Sequence, residues 1–265
     1  MKLGFIGCGT ISSAIVTGLM AAGYKDPIIV SPRSADVAAD LARRFANVTV
    51  ASTNQAVLDA CDVAVLAVRP QILAEVLPTL AFRPDHQVIS LVAATSLDHL
   101  RAATAPAASV TRAVPMPMVA RRQGPTAVYP PGPLARDIFD RLGSAIELAD
   151  EKDFDAFTTG TAMMASYFRF AGSVTDWMSA QGVPADMADR YVRQMFTGLA
   201  GTAAALPDRD FGALADEHET RGGLNEQVRV FLEAKGVFAD IGHAMDGVQK
   251  RLSAAHTATK SGRTE

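Results

Sequence analysis

The chain has 265 residues and contains little of what marks several specialised classes of protein. Its two cysteines, Cys8 and Cys61, are too few for a disulfide framework, so a reducing, cytoplasmic location is expected. A net charge of −3 gives no electrostatic reason to expect nucleic acid or an acidic membrane surface as a partner. The apolar N-terminus holds three glycines by residue 9 and no long uninterrupted apolar run, which argues against a signal peptide or a membrane span.

Metal-ligand patterns are also missing from the sequence. No Cys/His spacing resembles a zinc site, and the scattered acidic residues form no recognisable ligand set, so no metal is expected. In contrast, a hydrophobic content of 49% in a chain of this length is enough to fill one large or two ordinary domain cores.

The first 23 residues are the most informative part of the chain. The apolar segment Leu3–Ile6 predicts a buried strand, which meets the turn Gly7-Cys8-Gly9 and then a helix-period segment. This order is typical of a dinucleotide-binding unit: Gly7 permits the sharp turn, and Gly9 lets a pyrophosphate approach the backbone at a helix N-terminus. Ser12 stands in the place of the usual third glycine, and we expect the small Ala14 to provide the close helix–strand packing. The alternative is an ordinary strand–helix turn.

Short apolar strands alternate with helices up to about residue 150. This alternation predicts an α/β fold, with a Rossmann-type doubly wound parallel sheet, over residues 1–150. The predicted strands are Ile28–Ser31, Val48–Ala51, Asp62–Val68, Gln87–Val92, Ser109–Ala113 and Thr126–Tyr129. The predicted helices between them are Ser34–Phe45, Asn54–Leu58, Gln71–Leu77 and a segment that Ser96 caps and that ends near Ala103.

Strand signals stop after about residue 150. Helical patterning covers Phe154–Gln181, Pro184 to about Leu206, and the region near Asp210–His218, and two more helices are predicted up to about Ser253. We therefore expect an all-helical dimerisation domain over residues 151–253, followed by a disordered tail over 254–265. The thin second domain is rich in Met and aromatic residues, which favours dimerisation through its helices; ordinary core packing is the alternative.

The end of the second strand indicates the cofactor. An acidic residue there usually binds the ribose of NAD, whereas an Arg or hydroxyl cluster accommodates the 2′-phosphate of NADP. The sequence has Ser31-Pro32-Arg33-Ser34 and no carboxylate before Asp36. Because Arg33 can bind a phosphate with two donors and the serines can donate hydrogen bonds, NADP is predicted, with NADPH favoured over NADH. A solvated turn without this role is the alternative.

Several motifs, in the same order, resemble those of pyrroline-5-carboxylate reductases over residues 1 to about 253. They are GFIGCGTISSAIVTGL at the start, VSPRS, Asn54, AVRPQ at Ala67–Gln71, SLVAA at Ser90–Ala94, RAVP at Arg112–Pro115, GPTAVY, and TRGGLNEQVRVFLEAKGVF at Thr220–Phe238. The resemblance implies an oxidoreductase that uses NAD(P)H to reduce a five-membered cyclic imine carboxylate to proline. It further implies a homodimer, or a higher homo-oligomer, that interlocks through the C-terminal helices.

The resemblance also implies roles for individual residues. Gly7, Cys8, Gly9, Thr10, Ile11 and Ser12 would face the pyrophosphate, and Ser31, Arg33, Ser34 and Asn54 would lie near the adenosine ribose phosphate. Val68, Arg69 and Pro70 would line the nicotinamide side, with Ala93 and Ala94 under its ribose. Gly222, Gly223, Leu224 and Asn225 would bind the substrate carboxylate, with Asn225 and Thr220 as the catalytic residues. A helix–helix turn with Asn225 and Glu226 as local caps is the alternative.

The chain departs from the family's pattern mainly at the substrate end. Met116 falls in a family Met-Pro-Asn-Thr-Pro segment, and Thr161–Tyr167 replaces a loop rich in Gly and Ser. Arg69 replaces a lysine, and in the glycine-pair segment Arg221 replaces a proline while Asn225 replaces a threonine. These changes leave open which imine is reduced. They also leave open the roles of Arg221 and of His218, which are either functional or solvated, and whether Tyr167 and Thr161 line a pocket or only pack.

Two other functions remain as alternatives. A β-hydroxyacid dehydrogenase has the same architecture but depends on a lysine in its long interdomain helix, and this chain has no lysine from Phe154 to Asp208. A non-catalytic NADP-binding regulator would keep the cofactor site while its substrate pocket drifted. Hydride transfer to a cyclic imine acid separates an enzyme from such a regulator.

Overall fold

A computed structural model describes residues 1–261, with side chains to residue 254. By its internal contacts the chain divides into two compact units. The first contains Met1–Thr159 together with the segment that starts at Gln249, and the second contains Gly160–Val248. This boundary lies nine residues after the one predicted at residue 150.

The first unit is built on an eight-stranded sheet. The strands are β1 Leu3–Ile6, β2 Ile28–Val30, β3 Val48–Val50, β4 Val63–Leu66, β5 Gln87–Ser90, β6 Ser109–Val114, β7 Pro125–Tyr129 and β8 Ser144–Glu147. Their order is β3-β2-β1-β4-β5-β6-β7-β8. All neighbours pair in parallel except β6 and β7, so β7 and β8 run opposite to the other six strands. The predicted α/β fold with a Rossmann sheet is confirmed.

Helices connect these strands and cover the sheet. They are α1 Thr10–Ala21, α2 Ala35–Arg44, α3 Asn54–Ala60, α4 Pro70–Val76, α5 Leu97–Ala103, α6 Pro133–Asp140 and α7 Glu151–Gly160. Two apolar clusters are built on the sheet, one including Phe5, Leu19 and Phe139 and the other including Ile6, Leu66 and Leu100. Phe5 and Ile6 are consecutive residues of β1 and belong to different clusters, as expected for a strand that is buried on both faces.

The second unit is entirely helical. It consists of α8 Met164–Ala180, α9 Ala185–Ala205, α10 Phe211–Glu217, α11 Leu224–Ala234 and the first part of α12 Val237–Ser261. In α8 to α11 only Ala188, Val192 and Leu214 are buried, among the residues that the structure describes. Large apolar side chains are exposed instead, among them Phe168, Trp177, Tyr191, Phe211, Leu224 and Phe231. None of the described helices is long and apolar enough to cross a bilayer.

The structure differs from the sequence-based prediction in several elements. The single helix predicted over Phe154–Gln181 is divided into α7, a 3-10 turn over Thr161–Met163, and α8. Helix α6 and strand β8 were not predicted, because both are short and lie between Pro- and Gly-rich turns. The tail predicted to be disordered from residue 254 is helical up to Ser261, and residues 262–265 lie outside the described part.

Candidate cofactor and substrate sites

Three turns of the first unit meet at one edge of the sheet. They follow β1, β4 and β5, which are parallel neighbours, so their carboxyl ends lie side by side. The chain order reverses between β1 and β4, since β2 and β3 lie on one side of β1 and the later strands on the other. Open α/β sheets bind ligands at this topological switch point. The predicted pyrophosphate and nicotinamide residues lie in these turns.

The first turn is fixed by its own hydrogen bonds. Gly7 has φ +100°, and its N–H donates to the Ser31 hydroxyl oxygen at 2.9 Å. Ser12 donates from its hydroxyl to the Gly7 carbonyl oxygen at 2.7 Å and is fully buried. A Cβ at Gly7 would lie 2.5 Å from the Ala67 carbonyl oxygen at the end of β4. Position 7 therefore accepts only glycine. Ser12, which stands in the place of the usual third glycine, stabilises the turn through its hydrogen bond to Gly7.

The space beside Gly9 is open. A Cβ built on Gly9 would meet nothing within 4 Å, and this residue is the N-cap of α1. The N–H groups of Thr10, Ile11 and Ser12 begin the helix and have no backbone acceptor among the described residues. A cradle without a side chain at a helix N-terminus fits the pyrophosphate of a dinucleotide.

Cys8 lies between the two glycines and is buried. Burial raises the pKa of its thiol from 9.0 to about 11, so the thiol is protonated at neutral pH. A protonated, buried thiol is a poor nucleophile. Cys8 therefore fills space in the turn.

At the end of β2 the structure separates the roles of the predicted phosphate residues. Ser31 is fully buried and its oxygen holds Gly7, whereas Arg33 is exposed and has no hydrogen bond or ion pair among the described residues. Ser34 is the N-cap of α2 without a side-chain capping bond. Asn54 starts α3, whose cap is the Thr53 hydroxyl accepting from Ala56. Arg33, Ser34 and Asn54 are thus the members of the set that remain open to a ligand.

The turns after β4 and β5 form the other half of this edge. Val68 and Arg69 follow β4, Arg69 is the N-cap of α4, and Pro70 is its first residue. In the turn after β5, Ala94 has φ +59°, in the left-handed region that residues with a Cβ rarely adopt. Such backbone strain persists only where surrounding contacts fix it, and it concentrates at functional sites. No residue pattern in the sequence indicates this conformation of Ala94.

The glycine-pair segment lies in the second unit, between α10 and α11. Gly222 has φ +74°, and its N–H donates to Glu226 Oε2. The Gly223 N–H donates to the Thr220 carbonyl oxygen at 2.7 Å. Both N–H groups expected to face the substrate carboxylate are therefore satisfied within the segment. The N–H groups at this helix start without an acceptor among the described residues belong to Leu224, Asn225 and Glu226.

The side chains around this segment are mostly held by one another. Asn225 donates from Nδ2 to the His218 carbonyl oxygen at 2.7 Å and so acts as a local cap, while its Oδ1 has no hydrogen-bond partner among the described residues. Glu219 accepts from Arg229 Nε at 2.7 Å and Nη2 at 2.8 Å, which keeps the pKa of its carboxyl below the usual value. Arg221 is exposed and has no ion pair or hydrogen bond among the described residues. It is an available cation in a segment where Glu219 and Glu226 both already bind other groups.

Other predicted residues of the second unit meet at an apolar cavity. Tyr167 of α8, Phe196 and Leu199 of α9, and Phe211 and His218 at the two ends of α10 are among its lining residues. His218 Nδ1 lies 2.8 Å from the Leu214 carbonyl oxygen, which fixes the ring. The cavity brings Tyr167 and His218 together, and it is lined almost wholly by apolar groups. No cluster of three or more metal-ligating side chains occurs in the described part of the chain.

The two glycines of the first turn allow a matched test. Gly7→Ala should lower the free energy of unfolding by about 1–3 kcal/mol, because the new Cβ meets the Ala67 carbonyl at a positive φ. Gly9→Ala should cost less than about 1 kcal/mol of stability, since nothing is near its Cβ. It should nevertheless weaken NADPH binding roughly tenfold or more, which corresponds to about 1.4 kcal/mol. Urea unfolding and cofactor titration measure both effects; unchanged NADPH affinity in Gly9→Ala contradicts the assignment.

Comparisons with known proteins agree with this architecture. Residues 2–94 match the family model described as NADP oxidoreductase coenzyme F420-dependent, and residues 151–255 match that described as pyrroline-5-carboxylate reductase dimerisation. A pyrroline-5-carboxylate reductase of Escherichia coli is 31% identical over 92% of this chain and 94% of its own length. One from Pseudomonas aeruginosa is 27% identical over 94% of this chain and 95% of its own length.

Solved structures show the same similarity in three dimensions. A 1-pyrroline-5-carboxylate reductase from Streptococcus pyogenes has a TM-score of 0.82 and 25% identity, covering 96% of this chain and 98% of that one. The pyrroline carboxylate reductase of Plasmodium falciparum, solved with NADP bound, shares the fold with a TM-score of 0.84 at 21% identity over the same shares. The resemblance read from the motifs is confirmed: this chain belongs to the pyrroline-5-carboxylate reductase family.

Proposed function

We propose that this protein reduces the C=N bond of a cyclic imine carboxylate with NADPH, converting pyrroline-5-carboxylate to proline or acting on a related imine. The observation that carries the proposal is family membership over nearly the whole chain, joined to a sheet edge with an open dinucleotide cradle at Gly9. Proline biosynthesis, and with it amino-acid biosynthesis, is the corresponding physiological role.

The reaction asks the protein for positioning more than for covalent chemistry. When bound, the cofactor supplies the hydride. The residues of the chain must hold the dinucleotide, orient the imine carbon, bind the carboxylate and exclude water. A cyclic iminium arrives already protonated, so no strong general acid is required. Thr220 and Asn225 are proposed to touch the imine; the Thr220 hydroxyl has no hydrogen-bond partner among the described residues.

Arg33 is proposed as the residue that selects NADPH. It is exposed at the end of β2, no carboxylate precedes Asp36, and the N-terminal match to an NADP oxidoreductase family supports a phosphorylated dinucleotide. Ser34 and Asn54 complete this part of the proposed site.

At the substrate end, we assign the carboxylate contact to Arg221 together with the N–H groups of Leu224 and Asn225. Gly222 and Gly223 shape the turn, but their own N–H groups already have acceptors. A change of Arg221 breaks no hydrogen bond or ion pair among the described residues, because its side chain makes none. If imines with the proline ring prove to be poor substrates, the replacements at Met116, Met163 and Asn225 point to a different cyclic or larger imine.

The two alternatives differ from this proposal in one measurable property. The absence of a lysine from Phe154 to Asp208 argues against a β-hydroxyacid dehydrogenase. A non-catalytic regulator would bind NADPH and transfer no hydride. The test is NADPH oxidation by the purified protein with pyrroline-5-carboxylate and a panel of five- and six-membered cyclic imine acids. Steady turnover with one of them supports the proposal, and binding of NADPH without turnover on any of them contradicts it.

The exposed apolar side chains of α8 to α11 support a homodimer or a higher homo-oligomer. The match to a dimerisation family over residues 151–255 points the same way. We further propose a cytoplasmic location, which the two buried free thiols of Cys8 and Cys61 support. A small imine carboxylate is then the expected partner, with no role for nucleic acid or a membrane.

NADPH preference is tested at Arg33. Arg33→Ala should weaken NADPH by about 1.5–3 kcal/mol, the scale of a hydrogen bond to a charged group, while NADH binding changes little. Fluorescence titration of both cofactors measures this. Equal affinity of the unmodified protein for NADPH and NADH would be incompatible with the assignment.

The carboxylate contact is tested by comparing pyrroline-5-carboxylate with 1-pyrroline, the same ring without the carboxylate. Arg221→Gln should lower kcat/KM for the acid about tenfold, which is the scale of one lost charge-assisted hydrogen bond. It should leave kcat/KM for 1-pyrroline unchanged. Arg221→Lys, which keeps the positive charge, should lower kcat/KM for the acid by a smaller factor. Arg190→Gln is the control, because Arg190 is also exposed without a partner among the described residues. An unchanged ratio between the two imines in Arg221→Gln rules the contact out.

Asn225→Ala extends this test to the imine itself. It should reduce turnover of the best imine more than it reduces NADPH affinity, since Asn225 lies in the second unit. Unchanged kinetics in Asn225→Ala would remove the glycine-pair segment from the active site.

The oligomer is tested by sedimentation at micromolar concentration. Phe168, Trp177 and Tyr191 are each at least 60% exposed in one chain, and a monomer would leave them in water. We expect a dimer or a multiple of it, and Trp177→Glu should shift it towards monomer. A stable monomer of the unmodified protein contradicts the proposal.

A further inference from the structure

Arg112 is a buried charge that the proposed chemistry does not use. It lies in β6, where it pairs in register with Ser90 at the end of β5, and its side chain is fully buried. Removing a guanidinium from water is unfavourable unless strong partners replace the lost hydration. In the described part of the chain, its side-chain partners come from α7, the helix with which the dimerisation match begins.

The contacts of Arg112 are well defined. Nη1 lies 2.8 Å from Glu151 Oε1, and Nη2 lies 3.3 Å from Asp155 Oδ1. The guanidinium carbon lies 4.2 Å from the centre of the Phe154 ring, which is also buried. Nε has no hydrogen-bond partner in the described part of the chain. Arg112 thus fastens the first turns of α7 to the sheet through two carboxylates and an aromatic face.

Glu151 connects this ion pair to the start of α5, next to the proposed cofactor site. Its Oε1 also accepts the Leu97 N–H at 2.7 Å, and Leu97 is the first residue of α5. The Ser96 hydroxyl caps the same helix by accepting the His99 N–H at 3.3 Å. Two acceptors therefore hold the start of α5, and the turn that precedes it contains Ala93 and the strained Ala94.

We propose that Arg112 and Glu151 are positioning residues for the nicotinamide half of the cofactor site. Arg112 holds the Glu151 carboxylate, Glu151 holds the Leu97 N–H, and this fixes the Ala93–Ala94 turn in its left-handed conformation. The inference rests on the cofactor part of the proposed function. It makes the geometry under the nicotinamide ribose depend on the start of the dimerisation region, which is distant in sequence.

A purely structural role would weaken the whole unit, so the test compares the two halves of the cofactor. In the proposed site NADPH spans both the end of β2 and the turn after β5, whereas 2′,5′-ADP contains only the adenosine half. Glu151→Ala should raise the Kd for NADPH about tenfold and change the Kd for 2′,5′-ADP less than twofold. Glu151→Gln keeps an oxygen acceptor for Leu97 but loses the charge, so its effect should be intermediate. Arg112→Met should resemble Glu151→Ala.

The chain offers a closely matched control. Glu147 also accepts a helix-start N–H and an arginine: Gly132 N–H at 2.8 Å and Arg136 Nη1 at 3.2 Å. In the sheet, β6 and β7 separate β8 from β5, and neither of these hydrogen bonds of Glu147 reaches the turn after β5. Glu147→Ala should therefore lower the melting temperature as Glu151→Ala does, without changing either Kd.

The outcomes separate the hypotheses. A selective loss of NADPH affinity in Glu151→Ala, absent from Glu147→Ala, supports the proposal. Parallel changes for NADPH and 2′,5′-ADP, or no change for NADPH, overturn it. If Glu151→Ala does not fold, the same two Kd values are measured for Glu151→Gln. Equal changes in the Kd for NADPH and for 2′,5′-ADP would then overturn the proposal. Failure of the proposed function is distinct, since the unmodified protein would then not oxidise NADPH with any imine.

Discussion

The close passage of the Gly7 backbone against the end of β4 is the constraint on which the cofactor site depends. With φ +100° and the Ala67 carbonyl where a Cβ would stand, the chain can leave β1 and enter α1 only through a glycine. Ser31 and Ser12 then hold this turn by hydrogen bonds to the N–H and C=O of Gly7. The result is a helix start beside the open space at Gly9, at the switch point of the sheet, with N–H groups that have no acceptor in the described part of the chain.

The second unit obeys a different constraint. Its helices bury few large side chains within one chain, and rings such as Phe168, Trp177 and Phe211 remain exposed. The hydrophobic effect disfavours this arrangement in water unless another surface covers it. The glycine-pair segment, which we propose binds the substrate, belongs to this unit, so its final geometry is expected to depend on association as well as on the chain's own contacts.

The sheet and the cofactor edge were largely predictable from the sequence, because buried parallel strands leave continuous apolar runs and glycines mark the turn. DVAVLAV, for example, contains β4. The helix break at Thr161–Met163 was not predicted, since Ala162, Met163 and Met164 favour a helix and no Pro follows Gly160 there. At the glycine pair the sequence indicated an anion site, but the Gly222 N–H is taken by Glu226. Arg112 stood in a recognised motif, yet its partners Glu151 and Asp155 are about forty residues away in the chain, and one sequence carries no sign of such a pairing.

The central claim, hydride transfer from the dinucleotide edge to an imine carbon, is tested most directly by isotope transfer. The protein is incubated with pyrroline-5-carboxylate and NADPH deuterated in turn at each of the two C4 hydrogens of the nicotinamide. We expect proline with one deuterium at C5 from one labelled cofactor and unlabelled proline from the other. No proline from either cofactor, or proline without deuterium from both, would contradict the account.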